Sequence, residues 1–369
     1  MAEKRGNEMH LVRIEDLRHC LVAAFERLEL PREDAGEVAD VLLDSELRGH
    51  ESHGVHLLGF LADAYRGGGM NPRPRIRVLR ETEGALLLDG DHSHVIGAMR
   101  AMRWCIQRAR ERRGMAVAGV RNSQPIVLGF YARMAAEAGL IGFACANAIP
   151  MVSPPGGRTP TFGTNPLAYA IPAGRYPPVV LDVATTTGAA FKVRLAAQHN
   201  RPVPEGMILD REGRPTTDPN DFIHGGLMAP LGSPVAAHKG FGLAMVVDVL
   251  AGVLTGAAFA RDFPSEPATA GSATFWALDV EAFLPREEFV GRMEAQIEQV
   301  KASERLAGVD EVLLPGERGH RRYNEWADRG LAPLSLASWE ALAKACASLP
   351  ISLPTLVAEP RQTSDDGLA

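Results

Sequence analysis

The 369-residue sequence predicts a layered α/β fold that follows a helical N-terminal segment. Two observations predict this class. Short apolar runs alternate with amphipathic ones; strands are predicted at residues 85–88, 115–120 and 141–146, and helices at 99–113 and 131–138. In addition, no GxGxxG turn follows the first strand, so the doubly wound Rossmann arrangement is not supported.

Residues 9–75 are predicted to form the helical N-terminal segment. Pro31 suits the first turn of a helix, because the N–H that proline lacks would have no partner there. Apolar residues then recur at helical spacing as far as Leu47. This amphipathic helix is expected to end near Gly49, and it leads directly into a turn that contains Ser52 and His53.

Residues 76–350 are predicted to form the α/β region, and the chain is expected to return to the first part near its C-terminus. A turn at residues 89–91 should end the first strand. Later strands are predicted at 167–171, 179–183 and 274–278, and later helices at 287–301 and 337–347. The polar composition of residues 351–369 predicts a disordered tail.

Residues 240–260 are mostly apolar, with Asp248 as the one charged residue, and are about long enough to span a bilayer. Four glycines and the central carboxylate argue against a membrane span. The segment is therefore predicted to be a helix buried in the globular core, and no membrane partner is expected.

Composition and charge exclude several classes of protein. The net charge is −6 and no basic block is present, so nucleic-acid binding is not expected. The four cysteines are scattered without a CxxC pair, which is typical of a reduced cytoplasmic protein, although two disulfides stay open. Cys145 lies in an apolar run and is predicted to be in the core. No apolar stretch follows the charged residues near the N-terminus, so no secretory signal is expected.

Ser52 and His53 are the first candidates for catalysis. Histidine gains and loses a proton near neutral pH, and a neighbouring hydroxyl can orient its ring. The alternative is a histidine that is merely structural or exposed. His50 and His56 lie nearby and could also bind a metal, but no cysteine is near and the spacing of the histidines is unsuitable. No metal is predicted.

Two further groups of residues have the chemistry of a ligand site. His238, Lys239 and Gly240 begin the apolar segment, where free N–H groups, a helix dipole and a lysine would favour an anion. Small hydroxyl residues follow strand ends at Thr164 and at residues 185–187, and they would allow close approach of a ligand. The alternatives are a glycine-rich helix start that packs against a neighbour, and a pair of capped turns.

These three groups, in this order, resemble the type-2 malate/lactate dehydrogenase family. That family includes ureidoglycolate and sulfolactate dehydrogenases and cyclic imino acid reductases. The resemblance covers residues 12–345. The blocks that carry it are 47–55, 67–72, Asn147, 163–172, 181–186, 204–206, 210–219, 238–243 and 314–318.

The resemblance implies a non-Rossmann α/β fold, NADPH or NADH as cofactor, and a homodimer. Ser52 and His53 match the family's proton-transfer pair, and Lys192 matches a further catalytic position, although Phe191 replaces its usual glycine neighbour. The residues that match the family's cofactor site are Asn147, Thr164, Thr185, Thr186, His238, Lys239, Gly240, Gly316, Glu317 and Arg318.

Two positions of the expected substrate pocket depart from the family. The family pattern SHGVxR ends in an arginine that grips a carboxylate, and Leu57 stands at that position. The family's histidine after the third strand is replaced by Pro125, beside Ile126. A leucine cannot form the two-pronged contact of arginine with a carboxylate. His56 is adjacent but is expected to face elsewhere.

These residues predict an NAD(P)H-dependent oxidoreductase. It would transfer hydride to or from a carbonyl or imine, in a 2-oxo acid-like or specialised biosynthetic substrate that lacks the usual carboxylate anchor. The alternative is a repurposed family member that catalyses a non-redox step, or an inactive homologue that only binds a partner. Ordinary oxidation of a 2-hydroxy acid with a rearranged anchor also stays open.

Overall fold

The computed structural model describes residues 9–198, 200–263 and 271–357. They fall into two compact units. Unit 1 consists of residues up to Ala62 together with those from Arg321 onward, and unit 2 consists of Asp63–His320. Residues 63–75, which the sequence analysis grouped with the N-terminal segment, belong to unit 2.

The elements are numbered along the chain. The first half contains β1 (His10–Arg13), α1 (Ile14–Arg27), α2 (Arg32–Leu47), α3 (Leu58–Arg66), β2 (Arg77–Glu81), β3 (Ala85–Ser93), α4 (Val95–Arg112), β4 (Met115–Ser123), α5 (Leu128–Glu137), β5 (Ile141–Asn147), β6 (Leu167–Ala173) and β7 (Tyr176–Val183). The second half contains α6 (Ala190–Gln198), β8 (Ile208–Leu209), β9 (Pro215–Thr216), α7 (Pro219–Ile223), β10 (Leu227–Met228), α8 (Ala237–Asp248), β11 (Ser272–Leu278), α9 (Arg286–Lys301), α10 (Glu317–Asp328), β12 (Leu331–Leu334) and α11 (Leu336–Ser348).

Unit 1 joins the two ends of the chain. β1 pairs antiparallel with β12. The Sγ atoms of Cys20 on α1 and Cys346 on α11 lie 3.5 Å apart. β1 was not predicted, because residues 9–75 were expected to form a helical segment. A four-residue strand whose partner lies near the other end of the chain gives no local signal.

Unit 2 is built on a seven-stranded sheet in the order β2-β3-β4-β11-β5-β6-β7, in which β3 and β4 are parallel and the other neighbours antiparallel. α4 packs on β4 and β11, and α5 packs on β5 and β6. On the opposite face, Val247 of α8 packs with Phe143 and Cys145. The predicted α/β class is confirmed, and Cys145 lies in the core as expected.

Two predicted boundaries in this sheet are wrong. β3 does not stop at the turn expected at residues 89–91 but continues to Ser93, with an irregularity where Asp91 and His92 adopt positive φ. α4 begins at Val95 rather than near residue 99. β2 was not predicted, because all its residues are exposed and no apolar alternation marks it.

The apolar segment is not a buried helix, and that prediction is wrong. α8 ends at Asp248 and continues as a π-helical turn over Val249–Val253. Met245, Val246 and Leu254 are 53%, 56% and 61% exposed. A uniformly apolar sequence has no polar face. Its pattern therefore cannot show whether the helix is buried within its own chain or exposes an apolar surface. Among the described residues, no helix is long and apolar enough to cross a membrane.

The start of the predicted tail, residues 351–357, runs beside β1. Leu356 forms an antiparallel bridge with Val12. The N–H of Val357 donates to the carbonyl of Leu11 at 2.8 Å. The remainder of the predicted tail, residues 358–369, lies outside the described residues.

Candidate active site

The segment between α2 and α3, residues 51–57, is here called the Ser–His turn. Gly49, with φ +80°, lies between the end of α2 and this turn. Two short 3-10 turns, Glu51–His53 and Val55–Leu57, follow and place Gly54 between them. Ser52 Oγ lies 2.7 Å from His53 Nδ1, so the two residues predicted to transfer protons share a hydrogen bond.

Burial determines the charge of His53. Removal from water lowers the pKa of its imidazole to about 4, and His50 adds a smaller repulsion in the same direction. The ring is therefore neutral at neutral pH, with one donor and one acceptor nitrogen. Because a serine hydroxyl can donate or accept at Nδ1, Nε2 of the neutral ring can accept or donate a hydrogen bond, and it can take up a proton when it is the acceptor.

Glu46 lies beneath the Ser–His turn and was missed by the sequence analysis. Its side chain is fully buried, and its Oε2 accepts a hydrogen bond of 3.0 Å from the N–H of Val55. Burial raises the pKa of this carboxyl to about 8. A signal existed in the sequence, because Glu46 follows Leu42 by four positions and so falls on the apolar stripe of α2.

The two substrate-pocket candidates of unit 1 differ in their surroundings. His56 is half-buried and hydrogen-bonds the backbone of Ala337 on α11; burial lowers the pKa of its imidazole. Leu57 ends the second 3-10 turn and is partly exposed. An isobutyl side chain therefore stands where the family pattern has its arginine.

Three predicted binding segments of unit 2 meet in a chain of hydrogen bonds, here called the threonine corner (Thr164, Thr185, Leu231 and Gly240). The N–H and the hydroxyl of Thr185 both donate to the carbonyl of Thr164 at 2.9 Å. The N–H of Leu231 donates to the carbonyl of Thr185 at 2.9 Å, and that of Gly240 to the carbonyl of Leu231 at 3.1 Å. The threonine corner therefore fixes the start of α8 beside the end of β7.

Gly240 is required by this close packing. A Cβ at Gly240 would lie 2.4 Å from both the nitrogen and the oxygen of Leu231. The N-terminus of α8 has no side-chain cap and no acidic residue in its first turn, while His238 and Lys239 are exposed there. The N–H groups of Lys239 and Gly240 already donate to the carbonyls of Ala236 and Leu231, so it is the helix dipole and the exposed Lys239 that suit an anionic group such as a phosphate.

Thr186 and Asn147 use their side chains within the protein. The hydroxyl of buried Thr186 donates to the carbonyl of Gly188 at 2.8 Å. Asn147 Oδ1 accepts from Ser272 at 2.6 Å, and its Nδ2 donates to the carbonyl of Ala258 at 2.9 Å and to Asp248 Oδ1 at 3.3 Å. Asn147 therefore anchors the C-terminal end of α8.

The predicted loop at residues 316–318 is held on the edge strand β7. Gly316 has φ +80°, and a Cβ there would lie 2.8 Å from Cβ of Val180. Glu317 accepts hydrogen bonds from Lys301 at 2.8 and 2.9 Å, so its carboxylate already has a cationic partner. Arg318 is exposed.

The other predicted residues are more dispersed. Lys192 is exposed on α6. Pro125 and Ile126 are partly buried between β4 and α5 in unit 2, whereas His56 and Leu57 belong to unit 1. No three His, Cys, Asp or Glu side chains form a possible metal site in the ranges that the structure describes.

Comparison with known proteins gives consistent relatives. The malate/L-lactate dehydrogenase family model matches residues 12–343. A malate dehydrogenase of Pyrococcus horikoshii is 36% identical over 86% of this chain and 91% of its own length. An L-sulfolactate dehydrogenase of Methanothermobacter thermautotrophicus is 38% identical over 79% of this chain and 83% of its own.

A solved structure extends these similarities to imine chemistry. The Δ1-piperideine-2-carboxylate reductase of Pseudomonas syringae superposes with a TM-score of 0.80 at 28% identity, covering 90% of this chain and 99% of its own. The relatives are dehydrogenases and a reductase, which supports an oxidoreductase. The family match spans nearly the whole chain, so this protein belongs to the malate/L-lactate dehydrogenase family.

Proposed function

We propose that the protein is an NAD(P)H-dependent oxidoreductase that transfers hydride to or from a carbonyl or imine. The observation that carries this proposal is the hydrogen bond between Ser52 Oγ and His53 Nδ1 in a turn where partial burial keeps the imidazole neutral. The names of the relatives support it, because they include two dehydrogenases of hydroxy acids and one imine reductase.

NADH or NADPH is the proposed cofactor, and it supplies or accepts the hydride when bound. The residues that would hold it are those of the threonine corner, with Thr186, His238 and Lys239 beside them and Gly316 and Arg318 on the loop at β7. The start of α8, which has an exposed lysine and no acidic residue in its first turn, fits a phosphate of such a cofactor. Asn147 and Glu317 would act through the backbone they fix, because their side chains already have partners.

His53 is proposed to move the proton that accompanies the hydride. In the oxidative direction, its neutral ring can accept the proton of a substrate hydroxyl at Nε2. In the reductive direction, the ring first takes up a proton from solvent; Nε2 then donates that proton to the carbonyl oxygen or imine nitrogen of the substrate as the hydride arrives, and the ring returns to its neutral form. Ser52 keeps a hydrogen bond to Nδ1 in either state of the ring.

The substrate is proposed to lack the usual carboxylate anchor. Leu57 offers no donor for a carboxylate, and neither Pro125 nor Ile126 carries a group that titrates. Apolar side chains at these positions favour a larger or less charged carbonyl or imine. Lys192, although exposed on α6, remains a proposed third catalytic residue.

Binding of NADH and NADPH to the purified protein is the first test. We expect fluorescence enhancement or calorimetry to show micromolar binding of at least one cofactor, with K239A weakening it. Carbonyl and imine compounds would then be screened for oxidation of the bound cofactor. Failure to bind either cofactor would contradict the redox function and favour a repurposed or inactive homologue.

We also propose that the protein is a cytoplasmic homodimer. The exposed apolar side chains of α8 and its π turn form a surface that a second copy would cover, as their apolar character favours. All four cysteines are free, as suits a reducing compartment.

Val246→Glu should shift the molar mass measured by light scattering from that of a dimer to that of a monomer, whereas Val78→Glu on the exposed strand β2 should not. Equal masses for all three proteins would contradict this interface.

A further inference from the structure

We infer that Glu46 is a positioning residue for the Ser–His turn, acting through the N–H of Val55 and the close approach of its carboxyl to Gly54. The inference rests on the proposed function, because it assumes that Ser52 and His53 transfer the proton. Glu46 itself touches neither residue's reacting atoms, so its effect would pass through the backbone between them.

The first observation is the hydrogen bond that crosses from α2 to the turn. Glu46 sits on the last turn of α2 with no exposed surface, and its Oε2 accepts from the N–H of Val55 at 3.0 Å. Val55 lies two residues beyond His53 and is itself fully buried. This hydrogen bond therefore links the second 3-10 turn, Val55–Leu57, to α2.

The second observation is the fit between the carboxyl and Gly54. A Cβ at Gly54 would lie 2.1 Å from Glu46 Oε2 and 3.1 Å from its Cδ. Any other residue at Gly54 would push the carboxyl away from Val55. Gly54 does not have a positive φ, so close approach rather than backbone freedom explains the glycine.

The third observation is that the carboxyl is held from a second side. Ser338, a buried residue of α11, lies beside the carboxyl of Glu46 and lowers its pKa, and the Ser338 hydroxyl accepts from Ser335 Oγ at 3.2 Å. The charged groups that also act on Glu46 are Glu51 and Arg322. A carboxyl that is attached to α2 and also lies against α11 can hold the Ser–His turn more rigidly than a water molecule in its place could.

Three variants and two readouts test the inference in the full-length protein. Glu46→Leu keeps the approximate volume but removes the acceptor, Glu46→Gln keeps an oxygen that can accept from Val55, and Ser45→Ala removes a neighbouring buried hydroxyl that bonds only within α2. The readouts are the steady-state constants and the pH titration of His53 followed by NMR.

We expect Glu46→Leu to lower kcat by about 10²-fold with little change in cofactor Kd, since a displacement of about 1 Å has that cost. The His53 titration should move up from about 4 toward the value of an exposed imidazole as the loosened turn admits water. Glu46→Gln should restore kcat to within about threefold, because an amide oxygen accepts the same bond. Ser45→Ala should leave both readouts unchanged.

A second pair of variants covers the case in which Glu46→Leu does not fold. Gly54→Ala should reduce kcat by forcing the carboxyl out, and adding Glu46→Asp should recover part of the loss, because the shorter side chain leaves room for the new methyl group. Unchanged kcat and His53 titration in Glu46→Leu, or no recovery in the double variant, would overturn the inference. The NMR titration separates this failure from failure of the proposed function, because it needs no turnover.

Discussion

The Ser–His turn and the threonine corner are held in place by different kinds of interaction. At the Ser–His turn, burial shifts the pKa of two ionisable groups far from its usual value, to about 8 for Glu46 on the adjoining helix α2 and to about 4 for His53 in the turn itself. The threonine corner is linked by neutral hydrogen bonds, chiefly between backbone groups, and by a glycine that permits contact. The difference suggests that proton transfer depends on the first region and ligand binding on the second, and this separation can be tested.

The largest expected effect is that of His53→Ala. It should lower turnover by about 10²–10⁴-fold, the usual contribution of general acid–base catalysis. NAD(P)H binding should be unchanged, because the residues proposed to hold the cofactor lie in unit 2. Steady-state kinetics and calorimetry would measure both quantities. The exposed His224→Ala serves as the control, and kinetics near wild type in His53→Ala would remove the proposed role of this residue.

The next effect concerns stability and pH. The folded-state pKa of Glu46 is raised from 4.5 to about 8, so the folded protein retains a proton that the unfolded chain releases above about pH 4.5. This carboxyl therefore stabilises the fold less as pH rises from about 4.5 to 8. A shift of this size corresponds to about 5 kcal/mol. Relative to wild type, Glu46→Gln should gain stability across that window.

Urea unfolding at several pH values would measure this gain as the difference in free energy of unfolding. Comparison with wild type cancels the opposite contribution of His53, whose lowered pKa makes the fold less stable as pH falls from about 6.5 toward 4. Glu33→Gln, an exposed carboxyl in the first turn of the same helix, is the control. A pH-independent difference between Glu46→Gln and wild type would show that the carboxyl is not held neutral.

A smaller effect is expected at the threonine corner. Gly240→Ala would place a Cβ 2.4 Å from Leu231, and such overpacking usually costs about 1–3 kcal/mol. We expect weaker cofactor binding with an unchanged His53 titration. Gly242→Ala on the same helix meets no atom within 4 Å and is a matched control. If both variants bind the cofactor equally well, the threonine corner is not part of the binding site.

The smallest effect tests the substrate. Leu57→Arg would supply the arginine that the family resemblance leads us to expect at this position, and it should raise kcat/KM for simple 2-oxo acids about tenfold, the gain of a charge-assisted hydrogen bond. Leu57→Met controls for side-chain length without charge. The absence of any gain in the arginine variant would show that the pocket differs from the family at more than this position.

Much of the central sheet could be predicted from local patterns. β4, β5 and β11 are short apolar runs between helices, and each appeared close to its predicted place. β1 and β2 could not be predicted, because one depends on a partner near the C-terminus and the other is exposed throughout. Ser52 and His53 were found because they are adjacent, whereas the link from Glu46 to Val55 spans nine positions and was not.

The sequence by itself determined the α/β class, the order of the chemical motifs and the departure at Leu57, because these depend on residue type and spacing alone. The tertiary structure decided the rest. It brought Thr164, Thr185 and Gly240 into one corner through backbone hydrogen bonds. Every residue type has a backbone carbonyl, and all except proline have an N–H, so such bonds cannot be predicted from residue type. It also set the charge of Glu46 and His53, because the cost of burying a charge depends on the atoms that exclude water around it.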